Sequence, residues 1–167
     1  MWAKIIEKFS KFPAQEKVIR LLIERGFQVN PEGKVVSGNI EIPHTQIAKE
    51  VGVDRRIVDA TAEVVLGDDV LKKVLQNIRS VAFLRDVAPV LGLGVIVITP
   101  TDARKIGILG DVATVVAAHG ISIRQAITDD PYFTDDPKLT IITDTKVPGT
   151  LVDALMKISS VKSVTVY

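Results

Sequence analysis

The 167-residue chain has no cysteine, two histidines, one tryptophan and only 5% aromatic residues. Without cysteine there is no disulfide framework, no thiol nucleophile and no thiolate metal site, and a reducing cytoplasm is the expected location. No apolar run approaches the roughly 18 residues that read as a membrane span. Residues 1–12 are interrupted by Lys4, Glu7, Lys8 and Lys11, so neither a signal peptide nor an anchor is expected there, and no membrane partner. The formal charge of +1 argues against general coating of nucleic acid and leaves local patches to make any phosphate contact. Catalytic patterns are missing as well. His44 and His119 fall in different parts of the chain, no Ser-His-Asp or paired acid-base set emerges, and Gly92, Gly94, Gly107 and Gly110 lack dinucleotide-fingerprint spacing. The chain therefore reads as a non-enzyme with no cofactor.

What is present is strong periodicity of two kinds, giving an α+β fold. From 92 to 167 the order is strand, helix, strand, strand, helix, strand. Gly94 to Thr99 is a β-branched run ended by Pro100, and Ile108, Leu109, Val112, Val115, Val116 and His119 keep helical spacing up to Gly120. Ile121, Ile123 and Gln125 are expected on one face of the next strand, with Ser122, Arg124 and Ala126 on the other. Pro137 to Asp144, containing Leu139 to Thr143, reads as the third strand. Thr150 is the expected N-cap of a helix over 151–158, and Val161, Val164 and Val166 mark the last strand. This order is that of the ferredoxin-like split βαβ layout. A sheet this short, covered by helices on one face, leaves an edge or face that pairing with a second copy would protect.

The junction Gly107-Ile108-Leu109-Gly110-Asp111-Val112 and the strand opening His119-Gly120-Ile121-Ser122-Ile123 resemble the ACT domain, a small effector-binding module that pairs side by side. Gly107 and Leu109 match its Asp-x-Pro-Gly-x-Leu signature. Arg104 stands in place of the Asp, Ile106 in place of the Pro, and Ser122 in place of an Asn that often touches ligand. The resemblance implies an amino-acid effector held by Gly107, Ile108, Leu109, Ser122 and Ile123, and a homodimer or higher homo-oligomer formed through this module. A glycine at a helix start also lets backbone N–H groups approach a carboxylate. A module that only dimerises is the alternative.

The front of the chain carries a second pattern. Residues 45–58 have helix-turn-helix spacing: Ala48 permits a close helix crossing, Gly52 takes the turn, and Ile47, Val51, Val53 and Val58 are the expected core. Asp54 caps the second helix and puts Arg55 and Arg56 in its first turn. A helix over 14–25 with Val18, Ile19, Leu21 and Leu22 inward precedes it. Turn signals at Asn30-Pro31-Glu32-Gly33 and Ser37-Gly38-Asn39 predict a β-hairpin or wing-like loop over 27–42, with Lys34 near its tip. The DNA-contacting candidates are Thr45, Gln46, Arg55, Arg56 and Lys34. The surface is mixed, since Asp59 and Glu63 share a face with the arginines. Residues 1–57 hold ten Lys or Arg against seven Asp or Glu, a modest surplus for a DNA binder. Packing against protein is the alternative use of this pair.

Between the modules, Asp68 to Val81 predicts a helix with Leu71, Val74, Ile78 and Val81 on one stripe, serving either as a dimerising connector or as a helix packed on its own domain. Trp2, Ile5, Ile6 and Phe9 predict a docking helix at the front. The domain reading is 1–66 helix-turn-helix domain, 67–91 connector helix and linker, 92–167 ACT-like domain. Asp129, Asp130, Asp135 and Asp136 repeat in Thr-Asp-Asp-Pro and fit either turn formation or a hard cation. Together with Asp54-Arg55-Arg56, the segments Ile123-Arg124-Gln125-Ala126 and Asp129-Asp130-Pro131 resemble an archaeal family described as predicted regulators of amino-acid metabolism containing an ACT domain. The resemblance implies an amino-acid-responsive transcription regulator. An effector-sensing adaptor that regulates an enzyme without touching DNA is the competing expectation.

Overall fold

The computed structural model describes residues 2–167, with side chains described from Lys4 onward. Two compact units divide the chain, Met1–Ala82 and Phe83–Tyr167.

In the first unit, α1 (Trp2–Glu7) leads into α2 (Pro13–Arg25). Ile5, Ile6 and Phe9 are buried, while the side chain of Trp2, expected on the same stripe, lies outside the described residues. Pro13 begins α2 because a helix's first N–H lacks an internal partner in any case. Gly26 ends it at φ 64°, with Gly26 N–H returned to Ile23 O and Phe27 N–H to Leu22 O. The buried stripe is Val18, Ile19, Leu22 and Ile23. Leu21, expected inward, is only half-buried, because Ile23 occupies the place one helical turn beyond Ile19.

A three-stranded antiparallel meander follows: β1 (Gln28–Val29), β2 (Val35–Ser37) and β3 (Ile40–Glu41). Asn30 builds the first turn by accepting Gly33 N–H on its carbonyl and Lys34 N–H on Oδ1. Next come α3 (His44–Val51), Gly52 at φ 70°, and α4 (Arg55–Gly67). Ile47, Ala48, Val58, Ala62 and Val65 are buried between the packed helices, whereas Val51 and Val53, expected in this core, are half-buried.

α5 (Asp69–Asn77) is capped by Asp68, whose Oδ1 accepts Val70 N–H and Leu71 N–H, each at 3.0 Å. The Lys8 ammonium also pairs with Asp68. That pairing, followed by the backbone donors, holds the Asp68 carboxyl below the usual carboxylate range. The helix buries Leu71 and Leu75 and packs on α4 and β1. It ends at Asn77, four residues short of the predicted span, and Val81 is exposed. The reason is a contact with a distant segment. Residues 79–80 run hard against Gly26, where a β-carbon would lie 2.5 Å from Ser80 N, so the chain must leave the helix to pass there. Ile78 accordingly turns to an extended conformation.

In the second unit, β4 (Gly94–Pro100), α6 (Ile108–Ala118), β5 (Ile123–Thr128), β6 (Leu139–Thr143), α7 (Gly149–Met156) and β7 (Val161–Val166) build a four-stranded antiparallel sheet in the order β5-β6-β4-β7. Ile96, Ile98, Leu139 and Ile141 face α6 and α7 and meet Ile108, Val112, Val116, Leu151 and Leu155. The opposite face is not bare. Ala88 is fully buried on Val95, Val97 and Ile142, with Leu84 and Leu93 packed beside it. Residues 84–91, read as linker from the sequence, thus help cover the second face together with Leu93, which accounts for the burial of the two central strands on both faces.

Two details of this unit differ from the expected pattern. β5 does not alternate cleanly, because the register shifts between Ile123 and Gln125. Ile123 joins the core under the helices, while Gln125 reaches the other side and accepts Leu84 N–H at 3.0 Å. α7 starts at Gly149, and Thr150 lies inside it without capping; the Pro148 carbonyl accepts Leu151 N–H at 3.0 Å instead. No helix among the described residues is long and apolar enough to cross a membrane.

Candidate functional site

The first unit presents a cleft of about 510 Å³ between the β1–β2 turn, β3 and α4. Lys34, Thr45 and Arg55, three of the predicted DNA contacts, line it; Gln46 and Arg56 are exposed nearby on the same helix pair but do not. Each predicted cation has an acid of its own. Lys34 Nζ donates to Glu41 Oε1 at 2.7 Å, Arg55 Nε stands 3.5 Å from Asp59 Oδ2, and Arg56 Nε donates to Asp54 Oδ1 at 3.0 Å. Asp54 also accepts Arg56 N–H at 2.8 Å as the helix cap. The Arg56 side chain first, then this backbone donor, keeps the Asp54 carboxyl below the usual range, and the same contact raises Arg56 above its ordinary value. The exposed start of α4 is therefore a set of close ion pairs, which solvent screens strongly.

One residue of this cleft was not singled out by pattern reading. His44, only 12% exposed, places Nδ1 2.6 Å from Asp59 Oδ1 and accepts Val35 N–H on Nε2 at 3.3 Å. The sequence offers no period that would pair 35, 44 and 59. The signal is tertiary.

The second unit has a cleft of about 530 Å³ at the start of α6, lined among others by Lys105, Gly107, Leu109, Asp129, Asp130 and Lys138. Gly107 is the N-cap residue at φ 92°, supplying no side-chain cap, so the first N–H groups of α6 are left for other partners. Ile108 lines the cleft as well but turns into the core, at 9% exposure, while Leu109 is 44% exposed. Across the opening, the β5–β6 hairpin closes through Asp129, whose N–H donates to Lys138 O and whose Oδ2 accepts Lys138 N–H at 3.0 Å. Asp130 Oδ1 accepts Tyr132 N–H at 2.9 Å, and Asp136 pairs with the Lys138 ammonium. Each of these acids serves as a turn or hairpin group through one of its carboxylate oxygens. Among the described residues no three potential ligands gather as a metal site.

The other two predicted ligand contacts stand elsewhere. β5 runs parallel to β4, so its first residue, Ile123, sits level with Thr143 and Gly94, and its last, Thr128, level with Leu139 and Ile98. Ser122 and Ile123 are thus at the end of the sheet opposite Gly107, about 16 Å along the strand at ~3.3 Å per residue. Ser122 is exposed and meets Asp144, donating its N–H to the Asp144 Oδ1 at 3.1 Å and accepting the Asp144 N–H on its carbonyl at 3.0 Å. Within one chain the expected site is split in two.

No protein-family model and no curated protein matches the chain. Solved structures do. The ACT domain of a GTP pyrophosphokinase from Chlorobium tepidum aligns at 23% identity and a TM-score of 0.36, covering 45% of this chain and 96% of that one. An AsnC-family transcriptional regulator from Agrobacterium tumefaciens aligns at 18% identity and a TM-score of 0.29, covering 92% of this chain and 86% of that one.

Proposed function

We propose that the chain is an amino-acid-responsive, dimeric DNA-binding regulator with no catalytic activity of its own, in which the first unit is a helix-turn-helix domain and the second a ferredoxin-like, ACT-like sensor. The observation that carries the sensor half is the cleft at the start of α6. Uncapped backbone N–H groups and Lys105 suit a carboxylate, Asp129 and Asp130 suit an ammonium, and exposed Leu109 offers apolar contact. A free amino acid has those three parts. Pairing completes the site: when two sheets meet through their β5 edges about a two-fold axis, the strands run antiparallel. The partner's Ser122 and Ile123 then approach the Asp129 end of the first copy. Ligand bound across that seam would set the spacing of the two DNA-binding units, and half-site spacing governs affinity.

A salt titration of duplex binding by fluorescence anisotropy tests the DNA half. Replacing Arg55 and Arg56 together by Ala should weaken binding and reduce the slope of log affinity against log salt by about 2. A thermal-shift screen of the wild type against the standard amino acids tests the sensor half, since ligand bound to the folded state raises its melting temperature. The ion pairing of Lys34, Arg55 and Arg56 with neighbouring acids favours a second reading, an effector-sensing adaptor whose first unit docks on an enzyme. That reading predicts no duplex binding at any salt concentration and an unchanged amino-acid response.

A further inference from the structure

We propose that His44 is a proton-sensitive positioning residue that latches the β1–β2–β3 sheet to α4. Its imidazole hydrogen-bonds to both. Val35 completes its strand contact on the carbonyl side, accepting Ile42 N–H at 2.8 Å, and gives its own N–H to His44 Nε2 at 3.3 Å. An acceptor nitrogen carries no proton, so the ring is the neutral tautomer with hydrogen on Nδ1, and that N–H donates to Asp59 Oδ1 at 2.6 Å. Asp59 in turn faces Arg55 Nε at 3.5 Å. A chain of contacts thus runs from the backbone beside Lys34, through a ring that is nearly enclosed, to the first turns of α4.

Adding a proton to Nε2 turns the acceptor into a donor aimed at the Val35 N–H. Two donors then face each other and the strand loses its hold, while the ring gains charge beside Asp59 and stays bound to α4. Acidification therefore unlatches the sheet and leaves the helix pair in place. The charged groups around the cleft are Glu32 and Lys34 of the turn, Glu41 of β3, and Arg55, Asp59 and Glu63 of α4. Carboxylates, lysine and arginine ordinarily keep their charge between about pH 5.5 and 8, the range in which histidine ordinarily changes its own. The latch is local and does not depend on DNA being the partner.

The test is NMR on the full chain. Nitrogen shifts of the His44 ring at about pH 8 should report the Nδ1–H tautomer with Nε2 unprotonated. Val35 amide exchange, corrected for its intrinsic pH dependence, should lose at least about fivefold protection on going to about pH 5.5, the loss of one hydrogen bond. His44→Gln keeps a donor and an acceptor but cannot be protonated, and its Val35 protection should not vary with pH. Finding hydrogen on Nε2 at the higher pH, or wild-type Val35 protection that is flat across the range, would overturn the proposal. Because both decisive readings come from the wild type, a variant that fails to fold does not leave the question open. Loss of DNA binding in a separate assay would count against the proposed function and not against the latch.

Discussion

Replacing Gly26 by Ala should destabilise the first unit more than the same change at Gly52, and the difference measures how tightly residues 79–80 close over α2. Both glycines are left-handed, at φ 64° and φ 70°. An alanine at either site meets the left-handed penalty, about 1–2 kcal/mol. Their surroundings differ. At Gly52 nothing lies within 4 Å of an added β-carbon, whereas at Gly26 it would stand 2.5 Å from Ser80 N, 2.6 Å from Arg79 C and 2.8 Å from Arg79 O. These are backbone atoms and cannot rotate away, so the chain must shift, an overpacking cost of about 1–3 kcal/mol. Gly26→Ala is thus expected to lose about 2–5 kcal/mol in all, and Gly52→Ala about 1–2 kcal/mol. Urea unfolding followed through the amide NMR signals of the first unit reads the difference as separated midpoints at unchanged slope. Coincident midpoints would mean that residues 79–80 give way freely, and the explanation for the early end of α5 would fall with them.

Other expectations follow from the same contacts. Asp68 is held below its ordinary range chiefly by Lys8, so its contribution to stability is complete above about pH 4 and fades as the pH falls through its lower folded value. Lys8→Met should flatten that acid limb of a thermal-melt profile, and an unaltered limb would place the linkage elsewhere. Asp59→Ala removes the acid beside Arg55, so if α4 meets phosphate, duplex affinity should rise and its salt dependence steepen by about one contact, read by anisotropy. The adaptor reading predicts no duplex signal in this variant either. Gly107→Val puts a side chain into open cleft, with nothing within 4 Å of its β-carbon, at a φ of 92° that a β-branched residue resists. If a free amino acid binds there and the chain pairs as proposed, calorimetry should show the affinity lost while a sizing column shows the dimer retained. Gly94→Ala is the structural contrast: its β-carbon would meet Thr143 Oγ1 and Thr145 O at 2.5 Å, so the second unit itself should melt at lower temperature.

Local chemistry makes several elements legible in the sequence itself. Asp54 before two arginines, Asp68 before an amphipathic run, and glycine at 26, 52 and 120 are signals a few residues wide, and caps and left-handed stops are interactions of that same range. The strand and helix order of residues 94–166 followed from hydrophobic period, because burial on one face imposes that period wherever the partner comes from. Facts that depend on two distant segments were not readable this way. α5 stops at Asn77 because Gly26 lies under residues 79–80, and no window around residue 77 contains Gly26. Residues 84–91 look like a linker because their apolar side chains have no clean period, yet Leu84 and Ala88 help cover the second face of the sheet. The bulge in β5 moved Gln125 to the face opposite Ile123, and strand direction set Ser122 far from Gly107, although both choices leave the composition unchanged. His44 shows the limit most plainly. A histidine at a helix start has no sequence signature for the ring it becomes, since its meaning comes from Val35 on one side and Asp59 on the other, and only the folded chain brings the three together.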